Sequence, residues 1–426
     1  MKFCSIAILS GTLLLGAPSL PRPQETPPAD QPAKLEELIA EAERSNPQVL
    51  AARHGWDSAK LAPTQVSTLP DPEFVVQHLS VGSPRPFAGY TNSDFAYFGL
   101  GVSQDLPYPG KLRLRGEIAR KDAEVTQQRF ESVRRAIVAE LKKTYFQLAY
   151  LAKRQTILKE DGELLSQVEQ AAEARYRNAL GNQQEVLQAQ LEQTKLLREI
   201  TATQLEAGKL QAEIKQLLNR PQSSPDIVTT EISAAATAYT YDQLLAAAQA
   251  NNPEISGAQK MVEKQDLQVD LAKKDFYPDF NLQYMWQRTD PTQFRAYYMV
   301  TLGVRIPIYR GRRQQPELAQ AEADRSRAAS DKEAQTQQIA FELRQQFLTA
   351  EKSTELLKIY RDGLIPQARA ELQAGMVAYQ SDRQNFQALL GSFLDVLKLD
   401  EEYWQTLAEH ETAVAQMEEI TGLSLR

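Results

Sequence analysis

The residues of this 426-residue chain that could bind a metal or transfer a proton are few and scattered. The three histidines, His54, His78 and His410, fall on three different predicted elements, whereas a metal site needs ligands that converge on one point. The paired carboxylates Glu418 and Glu419 lie in a helical run, where a solvated face is the usual arrangement. The sequence contains no Ser/His/Asp constellation and no nucleotide-binding motif. It therefore predicts a protein that is not an enzyme and has no cofactor or metal site.

A second set of polar residues has the chemistry of a latch. Glu185 and Arg383 could form a charge-assisted hydrogen bond, with the hydroxyl of Tyr379 nearby. These residues lie almost 200 positions apart in the sequence, so they can meet only if long elements bring two distant turns together. The alternative is that all three are solvated surface residues, in which case an exposed pair contributes only about 0–1 kcal/mol.

The elements that could bring these turns together are very long helices. Residues 111–218 contain no proline and consist mostly of strong helix formers. Asn178 to Asn182 interrupt this run with a turn composition that includes Gly181. The pattern predicts helices at about 111–178 and 183–219, folded as a hairpin. Apolar residues at alternating spacings of three and four on the returning arm require a partner helix.

The same organisation recurs in the second half of the chain. Asn46-Pro47 returns 206 residues later as Asn252-Pro253, and Pro72 returns as Pro278 at the same offset. We therefore predict a first repeat at 34–221, a linker at 222–240 and a second repeat at 241–426. The long helices of the second repeat are expected at about 312–379 and 384–422, with a kink at Pro366.

Each repeat also contains two predicted strands, at about 73–81 and 94–106 and at about 279–288 and 295–308. Their apolar residues alternate with polar or small ones, which is typical of transmembrane barrel strands. Four strands cannot close a barrel, so several subunits would have to share one. The connecting loops, 82–90 and 289–294, are then expected to be extracellular. The residues expected to face lipid are Leu282, Tyr284, Trp286, Leu302 and Val304.

The N-terminal residues predict that the protein is secreted, and the overall charge restricts its possible partners. Residues 1–19 have the short basic start and apolar run of a secretory signal peptide, which contains the only cysteine, Cys4. Residues 20–33 form a Pro-rich leader without an expected fold. The net charge of −7 argues against a nucleic-acid partner.

Two segments carry a resemblance to a known family. The segment Asp105-Leu106-Pro107-Tyr108-Pro109-Gly110-Lys111-Leu112-Arg113-Leu114-Arg115-Gly116 resembles the entry to the first long helix of outer-membrane efflux proteins (TolC-like), in their heavy-metal cation branch. The segment from Tyr176 through Glu185 to Gln190 resembles the first hairpin tip of that family. The resemblance implies a mainly α-helical homotrimer. Its long hairpins would form a periplasmic α-barrel, and its four strands per chain would contribute to a shared 12-stranded outer-membrane β-barrel.

The resemblance also implies a function and a set of site residues. Such a protein would be a passive exit duct in a Gram-negative outer membrane, surrounded by lipid. It would export small molecules or metal cations together with a periplasmic adaptor (membrane fusion) protein and an inner-membrane pump of the resistance–nodulation–division type. The helical turns would form the periplasmic gate and the contact with the adaptor. The residues expected at the gate and the adaptor contact are Tyr176, Gly181, Glu185, Tyr379, Asp382 and Arg383. The sequence departs from the family pattern at the second turn, because Asp382 stands where the family usually has glycine, and Ala388 and Gly391 stand where it often has carboxylates.

Two other functions remain compatible with the sequence. An exit duct for type I protein secretion would show the same repeat and the same strands. A periplasmic structural coiled-coil protein without a pore would have to use the four alternating strands as an accessory soluble sheet.

Overall fold

The computed structural model describes residues 34–79, 97–234, 239–288, 296–381 and 383–425. In these ranges the chain is mainly helical, with one four-stranded antiparallel sheet. The signal-peptide segment, the leader and both predicted extracellular loops lie outside the described residues. The first repeat contains α1 (Leu35–Ser45), α2 (Pro47–Ala59), α3 (Ala62–Ser67), β1 (Glu73–Leu79), β2 (Tyr97–Leu106), α4 (Lys111–Arg177) and α5 (Gln183–Leu217).

The second repeat follows the same plan, with two short helices instead of three before its strands and with its long outgoing helix divided in two. It contains α6 (Tyr241–Asn251), α7 (Pro253–Lys274), β3 (Asp279–Arg288), β4 (Ala296–Arg305), α8 (Gln314–Ile359), α9 (Ile365–Gln380) and α10 (Phe386–Thr421). The fold predicted for one chain, mainly helical with a tandem repeat and four strands, is therefore confirmed. No helix within the described ranges is both long enough and apolar enough to cross a membrane.

The second long helix is less regular than the sequence suggested. It was expected to run over 312–379 with a kink at Pro366, but α8 ends at Ile359 and a π-helical turn occupies Tyr360–Leu364 before α9 begins. Proline has no N–H and its ring collides with the carbonyl one turn earlier, so the helix must widen just before Pro366. The strand expected to reach residue 308 likewise ends at Arg305, two residues before Pro307.

The four strands join the two repeats in one sheet. Their order is β1-β2-β3-β4, and the two halves meet where β2 pairs with β3, with Gly101 opposite Met285. A side chain at Gly101 would collide with the backbone of Tyr284, because a Cβ there would lie 2.7 Å from its carbonyl oxygen. The strands β1 and β4 have one partner each, so within the described residues the sheet has two open edges.

The sheet is fixed to the helices by Lys111, the first residue of α4. This lysine is buried, and its Nζ lies 2.9 Å from Oδ1 of Asp279 on β3 and 3.0 Å from Oδ1 of Asp275. Because Asp275 caps α7, one cation ties the first repeat to two elements of the second.

The short helices extend the long ones through a repeated asparagine. Asn46, at the start of α2, donates from Nδ2 to the carbonyl of Leu217 at the end of α5, at 2.9 Å. Asn252, at the start of α7, donates in the same way to the carbonyl of Ile420 near the end of α10, at 3.0 Å. Each asparagine also caps its own helix. These contacts stack α2 on α5 and α7 on α10, beside the continuous helix α4.

Candidate functional site

The turn of the first hairpin is tight, and Gly181 lies close to the end of α4. After α4 ends at Arg177, Ala179 adopts a positive φ of 60° and the N–H of Leu180 donates to the carbonyl of Arg175 at 2.9 Å. A Cβ at Gly181 would lie 3.1 Å from Cβ of Arg175 and 3.3 Å from the backbone nitrogen of Tyr176, so a side chain there would require these atoms to shift by a few tenths of an ångström.

The turn of the second hairpin lies against the first. Its returning helix α10 is capped by Asn385, whose side chain accepts from the N–H of Ala388 at 2.8 Å. Tyr379, in the last turn of α9, is 1% exposed and its ring lies 5.9 Å from that of Phe386, edge to face. The helical periodicity of α9 and α10 therefore places an aromatic side chain in a small core between the hairpins.

The hydroxyl of Tyr379 connects the two hairpins. It donates to Oε2 of Glu185, in the first turn of α5, at 2.7 Å. Burial of Tyr379, followed by its hydrogen bond with the Glu185 carboxylate, raises the pKa of the phenol well above its usual value. The hydroxyl therefore keeps its proton at physiological pH and remains a donor to an anionic acceptor.

The cation at this site comes from Arg175, which sequence analysis did not identify. Its Nη1 donates to the carbonyl of Tyr379 at 2.8 Å, and its Nη2 donates to the carbonyl of Leu180 at 3.0 Å. Its guanidinium carbon lies 4.8 Å from the centre of the Tyr379 ring. The one sequence signal for it was a cation in the last turn of a helix, where the carbonyls lack intrahelical partners.

The predicted contact between Glu185 and Arg383 is wrong. Within the described residues Glu185 bonds to the tyrosine hydroxyl and has no ion pair with Arg383. The side chain of Arg383 is exposed, and its backbone N–H instead closes the turn on the carbonyl of Ala378 at 2.8 Å. The cation that contacts Tyr379 is instead Arg175, through the backbone carbonyl and the ring. Tyr176 is also exposed, and Asp382 lies outside the described residues.

A second polar cluster lies between the hairpins nearer the middle of the long helices. Arg369 on α9 donates from Nη2 to both carboxylate oxygens of Asp400 on α10, at 3.1 and 2.9 Å. Asp161 on α4 is 9% exposed, and its Oδ2 has no hydrogen-bond partner among the residues that the structure describes. Burial and then the charge of Asp400 raise the pKa of Asp161 from 3.8 to about 7. Asp161 is therefore a buried acid that titrates near neutral pH.

His410 does not form a metal site with the residues around it. It is fully buried, and its Nδ1 lies 3.1 Å from Oε1 of the neighbouring Glu411. Across the described ranges, the structure holds no group of three or more histidine, cysteine or acidic side chains suited to a metal ion.

The chain combines tandem helical hairpins with a four-stranded sheet at one end and two contacting turns at the other. The sequence model of the family described as "Outer membrane efflux protein" matches residues 38–220 and 244–419. The chain therefore belongs to the outer membrane efflux protein family, which places it in the outer membrane.

Individual relatives agree with this assignment. The chain is 24% identical over 317 residues to the multidrug resistance outer membrane protein MdtQ of Escherichia coli O6:H1, a match that covers 72% of this chain. The match spans 65% of the length of that relative, slightly less than two thirds.

Solved structures share the fold at low sequence identity. The outer-membrane channel OprN superimposes with a TM-score of 0.81 at 18% identity, covering 92% of this chain and 90% of that one. VceC of Vibrio cholerae gives 0.78 at 18% identity, covering 93% and 98%. CusC gives 0.79 at 16% identity, covering 92% of both chains. The likeness to these structures supports the shared fold.

Proposed function

We propose that the protein is the exit duct of a tripartite efflux system: a passive homotrimeric channel that receives cargo from a periplasmic adaptor and an inner-membrane pump. The observation that carries this proposal is the incomplete sheet. Both edge strands, β1 and β4, are open in the described chain, and one face of the sheet exposes large apolar side chains. Three such sheets joined edge to edge would make a 12-stranded barrel with an apolar exterior.

The predicted lipid-facing residues support a barrel in a membrane. All five are exposed in the single chain, from 37% for Trp286 to 63% for Leu302. A soluble accessory sheet would bury such a face against other elements, because large exposed apolar patches are unfavourable in water. This argues against a structural coiled-coil protein without a pore. The residues are Leu282, Tyr284, Trp286, Leu302 and Val304.

The helices support a shared tube below the barrel. In the described hairpins, α4 packs between α5 and α10, and α10 packs against α8, so α5 and α8 lie at the two edges of the helical layer. Both edge helices carry exposed apolar side chains, which a neighbouring subunit would cover. Those on α5 are Leu187, Leu191, Leu197 and Leu205, and those on α8 are Phe341, Leu348, Leu356 and Ile359.

The two turns would then close the periplasmic end of the tube and receive the adaptor. The helix α4 has 67 residues, so the turns lie about 100 Å from the sheet at 1.5 Å per residue. We infer that the conformation held by the bond from Tyr379 to Glu185 is the closed mouth. The cargo would be a small molecule, as the name of the MdtQ relative suggests, or a metal cation.

Reconstitution of the purified protein tests this function. The mass in detergent, measured by light scattering, should correspond to three chains. In planar bilayers the wild type should open rarely, whereas a variant that lacks the hydrogen bond from Tyr379 to Glu185 should conduct steadily. A protein that stays monomeric after extraction from outer membranes, or a trimer that conducts in neither form, would refute the proposed duct. Recovery of the chain in the soluble periplasmic fraction would favour the structural coiled-coil alternative.

A further inference from the structure

Arg175 occupies a position that the latch between Tyr379 and Glu185 does not explain. Its guanidinium bonds to two carbonyls that belong to different hairpins, that of Leu180 in the first turn and that of Tyr379 at the end of α9. Both carbonyls lie at the end of a helix, where the last carbonyl groups have no N–H donor within the helix. The helices α4 and α9 both end here, so the negative ends of two helix dipoles lie near a single cation.

The bonds of Arg175 and of Glu185 fix different parts of the same tyrosine. Glu185 accepts from the phenol hydroxyl, whereas Arg175 donates to the backbone carbonyl and lies over the ring. Removing the hydroxyl would leave the backbone of Tyr379 attached to the first hairpin. Removing the guanidinium would free the backbone and would also leave the ring without its cationic neighbour.

We propose that Arg175 is the positioning residue of the gate, which ties the turns of the two hairpins of one subunit together and holds Tyr379 in line with Glu185. The proposal rests on the proposed duct function. The rigid fork of a guanidinium suits this task, because it can donate to two carbonyls in different directions. Lysine would keep the charge but lacks the fork, so it should hold the turns less well.

Arg177 provides a matched control two residues further along the chain. Its side chain is 73% exposed and its ion pair, at 2.6 Å, is with Glu173 on the same helix. Replacing Arg177 therefore removes the same charge from the same helix end without breaking a contact between the hairpins. If charge alone affected the mouth, both variants would open more often than the wild type. If Arg175 is a tether between the hairpins, only its own replacement should increase opening.

The test compares the variants Arg175→Ala, Arg175→Gln, Arg175→Lys and Arg177→Gln as purified full-length trimers in planar bilayers. Loss of one hydrogen bond to a charged donor corresponds to about tenfold in an equilibrium constant. We expect the open probability to rise at least about tenfold in Arg175→Ala and Arg175→Gln. The open probability of Arg175→Lys should lie between that of Arg175→Ala and that of the wild type. The open probability of Arg177→Gln should equal the wild-type value. Trimer mass and melting temperature show whether assembly is intact.

The variant Glu185→Gln/Tyr379→Phe, in the same assay, separates this proposal from the duct itself. If that double variant conducts while the Arg175 variants behave like the wild type, the role of Arg175 is refuted and the duct stands. If neither the wild-type trimer nor any variant conducts, the proposed duct function is refuted, and the gating role of Arg175 is refuted with it. Should Arg175→Ala not assemble, Arg175→Gln carries the test. A Gln variant that also fails to assemble would assign Arg175 to folding and overturn its role in gating.

Discussion

The hydrogen bond from Tyr379 to Glu185 predicts a measurable shift in the gating equilibrium. Glu185→Gln combined with Tyr379→Phe removes both the charge of the acceptor and the hydroxyl of the donor while keeping the ring that packs on Phe386. The bond is 2.7 Å long and its donor is 1% exposed, so water competes poorly with it. Removing it should destabilise the closed mouth more than a surface contact would.

The size of the shift follows from the charge on the acceptor and from the threefold repetition. A hydrogen bond to a charged group contributes about 1.5–3 kcal/mol, and the half-buried Glu185 favours the lower end of this range. Three copies in a trimer would sum to about 4.5 kcal/mol, which is on the order of a thousandfold in the closed–open equilibrium. Even half of this value would change the open probability of a rarely open channel visibly.

Single-channel recording measures this shift directly, and Tyr176→Phe is the matched control. Tyr176 lies at the same tip, but its side chain is 46% exposed, so the loss of its hydroxyl should leave the conductance unchanged. The double variant should show longer and more frequent openings, with an intact trimer. If an intact double-variant trimer conducts no more than the wild type, Glu185 and Tyr379 are surface residues of the tip and the reasoning is wrong.

Three further predictions concern stability and topology. Because the pKa of Asp161 is raised to about 7 in the folded chain, its contribution to stability should decline as pH rises from about 4 to about 7. Asp161→Asn should therefore stabilise the folded chain more at pH 8 than at pH 5, by up to about 3 kcal/mol for the two pH units between pH 5 and the raised pKa. The melting temperatures at the two pH values measure this difference, and Glu163→Gln on the exposed face of the same helix is the control. Leu302→Arg should cost roughly 2–4 kcal/mol of membrane stability near the barrel midplane, and unchanged urea resistance in lipid would contradict a lipid-facing position. Cysteines introduced at Ser83 and Thr292 should react with an impermeant maleimide on intact cells. Labelling only after rupture of the outer membrane would show that these loops face the periplasm and not the cell exterior.

The local patterns of the sequence account for most of the elements of the fold. Proline-free runs with three-four spacing predict long paired helices, and alternation such as that from Phe280 to Gln287 predicts a sheet with two unlike faces. The recurrence of Asn-Pro at 46 and 252 indicates two copies of one unit. These features depend on contacts within a few residues, which a single sequence records directly.

Where the local patterns failed, a backbone constraint was responsible. The π-helical turn at Tyr360–Leu364 and the early end of β4 at Arg305 both precede a proline. Proline predicts that a helix or strand is disturbed, but the length of the disturbance depends on how the neighbouring turns share their carbonyls. The sequence therefore indicated both places without fixing the boundaries.

Only the tertiary structure determined the partners at the gate. The sequence located Glu185 and Tyr379 at two turns, but it paired Glu185 with Arg383 and missed Arg175. Arg175 and the carbonyl it binds on Tyr379 are 204 residues apart, and their meeting depends on how α4 and α9 pack along their whole lengths. Hydrogen bonds form only within about 3 Å, whereas one residue of helical register moves a side chain by 1.5 Å along the axis and 100° around it. Periodicity fixes which face of a helix is buried, and the packing of the two hairpins decides which cation reaches the tyrosine.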